Sequence, residues 1–159
     1  MSIFMKIEGV AGDVSAKGYE NWIALQAVDF PGVAHAVSNT TGSPHMRVTS
    51  KPQFADIVLH KTQDQASVFL FEHAHNANSI PTIEIDYVST DKQLATYSKY
   101  ILSNVIVSQY REMHTGTELQ ERIKLSFTKI QKRVVQRDPK NQQNTQAVTG
   151  YDLEKAKAL

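Results

Sequence analysis

Leu119-Gln120-Glu121-Arg122-Ile123-Lys124-Leu125-Ser126-Phe127-Thr128 decides the fold class of this chain. Leu119, Glu121, Ile123, Leu125 and Phe127 share one parity, and Arg122, Lys124, Ser126 and Thr128 share the other. That is the two-residue period of a strand with one buried face. Beyond Phe127 the apolar positions move to Ile130 and Val134. Residues 119–136 therefore predict a strand carrying a bulge, or one whose second half meets a different neighbour.

The same period recurs elsewhere. In Ile3-Phe4-Met5-Lys6-Ile7-Glu8-Gly9, the apolar Ile3, Met5 and Ile7 oppose Ser2, Lys6 and Glu8, with Phe4 breaking the polar side. After a turn carrying Gly9 and Gly12, residues 22–28 read as the next strand. Residues 31–44 shift to Pro, Gly, Ser, Thr and Asn, which predicts a long loop, and long loops in small domains tend to carry function. Strand signals follow at 46–50 and 54–60, interrupted by Pro52, which cannot donate to a ladder. Further strands are expected at 80–89 and 96–108, with turns at Thr90-Asp91-Lys92 and Gly116 and a polar loop over 138–144.

One convincing helix interrupts this pattern, over residues 68–75. Ser67 or Asp64 is its expected N-cap, and Asn76 or Asn78 its end. Val68-Phe69-Leu70-Phe71 is apolar around the whole helix, which predicts burial on more than one side, the second wall coming from an adjoining subunit in an oligomer. The fold class expected is mainly β: an antiparallel β-barrel or sandwich with one flanking α-helix, as a single domain over residues 1–159.

Composition excludes several classes of function. A chain of 159 residues can bury about 70% of its unfolded surface without staples, and it has no cysteine, so disulfide frameworks and thiolate zinc sites are out. The longest apolar run is four residues, against the ~20 that a membrane-spanning helix needs, so no membrane insertion is expected. The opening residues reach charge too soon for a signal peptide. With 17 Lys and Arg against 16 Asp and Glu, the net charge of +1 gives no general attraction to nucleic acid. Arg122, Lys124, Lys129, Lys132, Arg133, Arg137 and Lys140 do cluster, but only Phe127 accompanies them, too few aromatics for a base-stacking face. They read as charges that discourage stray edge pairing, and no nucleic-acid partner is expected.

Six histidines raise the question of a metal. His73 and His75 form the tightest pair, yet side chains two apart on a helix diverge by about 200°. No HExxH spacing, phosphate-binding glycine loop or nucleophile elbow occurs. Glu84 and Asp86 share a strand face and read as a solvated polar surface opposite Ile83 and Ile85. No catalytic residue, metal ligand or cofactor is expected. Trp22 reads as core or as an interface anchor.

Over nearly its whole length the chain resembles the Hcp (haemolysin-coregulated protein) family of bacterial type VI secretion. The resemblance rests on Ile3-Phe4-Met5-Lys6-Ile7-Glu8-Gly9, on Leu59-His60-Lys61 leading into Asp64-Gln65-Ala66-Ser67, on Ile123-Lys124-Leu125-Ser126-Phe127-Thr128-Lys129-Ile130, and on Gly150-Tyr151-Asp152-Leu153. Val68 stands where the family usually has Pro, a harmless change because Pro there only pre-sets a backbone angle. The resemblance implies a structural protein, no enzyme, whose homohexameric rings stack into the inner tube of the secretion system and carry effectors in the lumen. Its implied partners are further copies of itself, the contractile sheath, the spike protein and the effectors. The implied route runs from the bacterial cytoplasm out through the apparatus without a signal peptide, and no fused effector domain is expected. Pro31, Gly32, Val33, His45 and Tyr151 are the candidate subunit or ring contacts. A second reading is a small β-barrel enzyme or ligand-binding protein in which His35, His45 or His60 converge.

Overall fold

In the computed structural model, residues 1–38, 48–91, 93–137, 140 and 143–159 are described. The strands are β1 (Ser2–Ile7), β2 (Ile23–Leu25), β3 (Ala27–Asp29), β4 (Val33–Ala34), β5 (Val37–Ser38), β6 (Val48–Thr49), β7 (Gln53–Phe54) and β8 (Ile57–Thr62). The helix α1 (Ser67–Asn76) follows, then β9 (Ile80–Ser89), β10 (Ala95–His114), β11 (Leu119–Ser126), β12 (Lys129–Arg137), β13 (Gln143–Asp152) and β14 (Lys157–Ala158). Every named strand pairing is antiparallel.

The main sheet runs β1, β9, β10, β11, β8 and β3, and it closes through residues 23–29. There the expected single strand is two: β2 pairs with β1, the chain bends at Gln26, and β3 pairs with β8. The Gln26 N–H donates to the His60 carbonyl at 2.7 Å, which holds the bend. Edge strands are therefore joined rather than exposed, which removes the hazard of unpaired ladders. From β12 the sheet extends outward through β13 to β14.

The parity change near Phe127 is real and has a geometric cause. β10 is one long strand, reaching six residues past the expected end at Ser108. Its first part pairs with β9 and β12, and its last part with β11. Asn104 has φ 51°, a left-handed turn inside the strand, and opposite it the Thr128 N–H donates to the Ser103 carbonyl at 3.1 Å. At this corner the buried positions change parity on both strands: Leu102 gives way to Val105, and Phe127 to Ile130. The corner bends the sheet around a core of Met5, Ile23, Ile57, Leu59, Leu70, Ile83, Ile85, Ile123 and Leu125, all fully buried. Phe4 is buried too, because Tyr19 from the following loop covers it at 5.0 Å between ring centroids.

The helix departs from expectation at both ends. Ala66 is the N-cap and makes no side-chain cap bond, while Ser67 is already helical. Asp64 stands just outside, its Oδ1 accepting the Ala66 N–H at 3.0 Å. Ala77, rather than Asn76 or Asn78, takes the left-handed C-terminal position, its N–H donating to the His73 carbonyl. Within one chain Leu70 is enclosed and Phe69 half-buried, while Val68 is 74% and Phe71 57% exposed, which leaves the second wall to an adjoining copy.

The long loop predicted over residues 31–44 is, as far as residue 38, one arm of a folded ribbon. β4 pairs with β7 and β5 with β6, apart from the main sheet. The stretch could not be read as strand because its rungs are only two residues long and carry no alternating apolar set. The rest of that loop, the start of the 46–50 strand, Lys92 of the turn and most of the 138–144 loop lie outside the described residues.

Gly150, in β13, sits where no side chain fits. A Cβ there would lie 2.7 Å from the Ile130 carbonyl oxygen and 2.9 Å from Leu159 Cδ1. Relief would require β12 and β13 to part. Gly150→Ala should cost about 1–3 kcal/mol in urea denaturation, whereas Gly116→Ala, with open space around its Cβ, should stay within about 0.5 kcal/mol of the parent. Equal behaviour of the two variants would refute this packing.

Candidate functional site

Two surface features stand out, each supported from beneath. The first is the ribbon of β4 to β7. Pro31 is exposed at its base, and Gly32 has φ +98°, a conformation that costs glycine little. The Gly32 carbonyl accepts the Ala55 N–H at 3.1 Å, and Ala36 and Ser50 exchange further bonds up the ribbon. Val33 and Val37 remain 52% and 46% exposed. Phe30 and Phe54 flank the base and both pack on Phe127, at 6.4 and 6.1 Å between ring centroids. Tyr151 stacks on Phe54 at 5.3 Å, so it is half-buried within its own chain and anchors the ribbon. The structure thus brings Pro31, Gly32, Val33 and Tyr151 to one region, while His45 lies outside the described residues.

Closing Gly150-Tyr151-Asp152-Leu153 explains itself locally. The Lys155 N–H donates to Asp152 Oδ1 at 3.1 Å, and this bond, followed by the Lys129 charge, holds that carboxyl below the usual carboxylate range. The Leu153 N–H donates to the Thr128 carbonyl at 2.8 Å, tying the motif to the sheet corner.

The second feature is the outer face of α1. Phe71 lies edge-on against Tyr110 of β10 at 5.5 Å. Beneath this contact is a charged cluster whose functional weight the sequence reading missed. Lys61 of β8 is fully buried and its Nζ lies 2.6 Å from Glu121 Oε2, 2.9 Å from Asp64 Oδ1, 2.9 Å from Ser67 Oγ and 3.0 Å from the Thr62 carbonyl. Glu121 of β11 is equally enclosed, and the Tyr110 hydroxyl sits 2.7 Å from its Oε1 and 2.9 Å from Glu112 Oε1. Burial, then the two carboxylates, push the Tyr110 phenol well above its ordinary value. One signal was available: Glu121 falls on the same parity as Ile123 and Leu125, and a charge on a core face demands a partner.

Glu84 and Asp86 were expected to be solvated. Asp86 is instead only 3% exposed, beneath the loop that carries Tyr19. Lys99 bridges it to Glu84, at 3.3 and 3.0 Å, and Thr96 donates to Asp86 Oδ2 at 3.0 Å. The residue lies on β9 between β1 and β10, so both flanks carry neighbours. Burial is the largest influence and holds the Asp86 carboxyl above its ordinary value, against the opposing pull of Lys99 and Thr96. Trp22 is half-buried, edge-on to Tyr19 at 5.0 Å, with Lys6 over its ring at 5.9 Å.

Among the described residues the histidines do not converge. His73 stacks on Phe69 and points Nδ1 at the Phe69 carbonyl, His75 is exposed beside Phe71, His35 is exposed on the ribbon and His60 lies on β8. Among the described residues no group of three or more His, Asp or Glu is placed to hold a metal ion. No described helix is long and apolar enough to cross a membrane.

A closed antiparallel sheet, one helix laid on it and a ribbon standing off it place the chain among mainly β proteins with a single flanking helix. The model of the family "Type VI secretion system effector, Hcp" matches residues 4–133. The chain belongs to the Hcp family, and with it to the tube proteins of type VI secretion. Solved structures agree on the fold. One described as a type six secretion system protein superimposes with a TM-score of 0.90 at 20% identity, covering 99% of both chains. Hcp1 from Salmonella typhimurium gives 0.79 at 21%, over 99% of this chain and 98% of its own. A type VI secretion system effector from Yersinia pestis gives 0.73 at 20%, over 94% and 98%. No curated protein sequence matches the chain.

Because the Asp86 carboxyl is raised above the 3.8 of an unconstrained side chain, the folded protein holds a proton that the unfolded chain has released in the window just above that value. Its contribution to stability therefore falls as pH rises through the window. Asp86→Asn abolishes this slope. The Tm of the variant minus that of the parent should grow more positive between about pH 3 and pH 6; a flat or declining difference would contradict it.

Proposed function

We propose that this chain is the subunit of a type VI inner tube, six copies closing into a ring and rings stacking head to tail around a lumen that carries effectors. The observation that carries the reading, beside family membership, is the ribbon with its exposed Val33 and Val37. A ribbon whose described part exposes apolar side chains gains nothing from facing water and gains burial when a second copy covers it. A heterologous contact of this kind closes into a ring when the rotation per copy divides a full turn, and repeats without limit when it does not. The exposed Val68 and Phe71 supply a second apolar surface for a lateral neighbour.

On this reading Pro31, Gly32, Val33 and His45 meet the next ring, and Tyr151 holds the ribbon at the angle that makes this contact. Residues 1–159 act as one domain with no catalytic step. The subunit folds in the bacterial cytoplasm and leaves through the apparatus, with sheath, spike protein and effectors as its partners.

Negative-stain electron microscopy of the untagged protein should show six-fold rings with an open centre, stacked in part. Val33→Asp should leave single rings while abolishing stacks, since one buried carboxylate per contact opposes association. Featureless particles of one subunit at high protein concentration would overturn the assembly reading.

A further inference from the structure

Three adjacent strands carry a row of basic side chains, two arginines and a histidine, on the outer face of the barrel. In the register of β8, β11 and β10, His60 lies opposite Arg122, and Arg122 opposite Arg111. The next outward row is Thr62, Gln120 and Met113. Between the rows is a shallow pocket of about 130 Å³ lined by His60, Arg111, Met113, Gln120, Glu121 and Arg122.

Among the described residues, the two guanidinium charges of this row have no ion-pair partner. Neither Arg111 nor Arg122 has an ion pair or hydrogen bond with a described residue. Glu121 lines the pocket floor, but its carboxylate is turned inward to Lys61 and Tyr110. Asp56 is engaged by Ser108, and Glu112 by Tyr110 and His114. Lys124, two residues along β11 on the same face, adds to the positive field. Like charges directly opposite one another weaken a sheet, so the arrangement is relieved by an anion between them. Two guanidinium groups side by side offer paired N–H forks, which match the oxygen spacing of carboxylate and phosphate.

We propose that His60, Arg111 and Arg122 form a binding site for one oxyanion group, a carboxylate or a phosphate, with Gln120 supplying an amide donor and Met113 an apolar wall. The pocket takes the oxyanion head of a ligand and leaves its body in solvent. All of its residues come from one chain, so the site is complete whether or not rings form.

Isothermal titration at fixed ionic strength tests this with two ligands: inorganic phosphate, and a blocked glutamyl-glutamate dipeptide. Saturable binding of at least one is expected, with midpoints near ~1 mM for a single exposed oxyanion contact. Arg111→Gln should weaken it at least about tenfold, and Arg111→Lys should fall between, because the ammonium keeps the charge and loses the fork. Arg111 is exposed and has no ion-pair or hydrogen-bond partner among the described residues, so both variants should keep the parent's Tm in ligand-free buffer. Saturation by phosphate alone identifies a free phosphate as the source, and saturation by the dipeptide alone identifies a protein carboxylate. Heats that do not saturate with either ligand, or that are unchanged in Arg111→Gln, would overturn the site.

Discussion

Lys61 is a cation sealed from bulk solvent, and strands β8 and β11 and the start of α1 converge on its ammonium group. The residue leaves β8, takes Glu121 from β11, and reaches Asp64 and Ser67 where the chain turns into α1. One side chain thus fixes the pairing of two strands and the docking of the helix across the barrel. An ammonium group left alone there would be strongly disfavoured, and only near-complete satisfaction of its three protons makes the position tenable. The consequence is directional: any displacement of the helix parts Lys61 from Ser67 and Asp64, and any slip of β11 removes Glu121. An apolar side chain at that site could fill the space but would hold neither register. Through Tyr110, which contacts both Glu121 and Phe71, the same cluster sets the outer face of the helix.

The stretches that mark the family are, in the structure, folding devices. Lys61, Asp64 and Ser67 belong to this cluster, and Gly150 permits the close approach of β13 to β12. Asp152 closes the turn that follows, Tyr151 props the ribbon, and Phe127 and Thr128 occupy the corner where the sheet bends. The assembly proposed above calls for a rigid interior that holds its contact surfaces in place. The surfaces offered outward, Val33 and Val37 on the ribbon and Val68 and Phe71 on the helix, rest directly on these devices.

How much of this was legible in the sequence follows from where packing is local and where it is not. Alternation disclosed β1, β9 and β11, and the displaced parity after Phe127 disclosed the corner, because those signals depend only on which side of a strand is buried. The division of 23–29 into two strands was hidden, since the bend at Gln26 is set by the distant His60 carbonyl. The last part of β10, Tyr110 to His114, carries little apolar alternation and is held in extension by β11. The all-round apolar run Val68 to Phe71 reads as a helix with two walls, but composition alone cannot say which face meets the barrel; within one chain that face is Leu70 and Phe69, and Val68 and Phe71 stay exposed. Asp86 was misjudged for a related reason: opposite parity to Ile85 places it outside the barrel, but the loop carrying Tyr19 folds over that outer face. Glu121 was the clearest missed opportunity, an acid on a core face whose partner lay in a stretch already singled out.

Lys61 and Glu121 act as one unit that holds barrel and helix together, and a double-mutant cycle in urea denaturation tests this most directly. Lys61→Met and Glu121→Leu, each leaving an unpaired buried charge, should cost about 3–5 kcal/mol. The double variant should lose far less than their sum, giving a coupling energy of at least about 2 kcal/mol. Single variants within about 0.5 kcal/mol of the parent, or costs that simply add, would show that the cluster does not hold barrel and helix together.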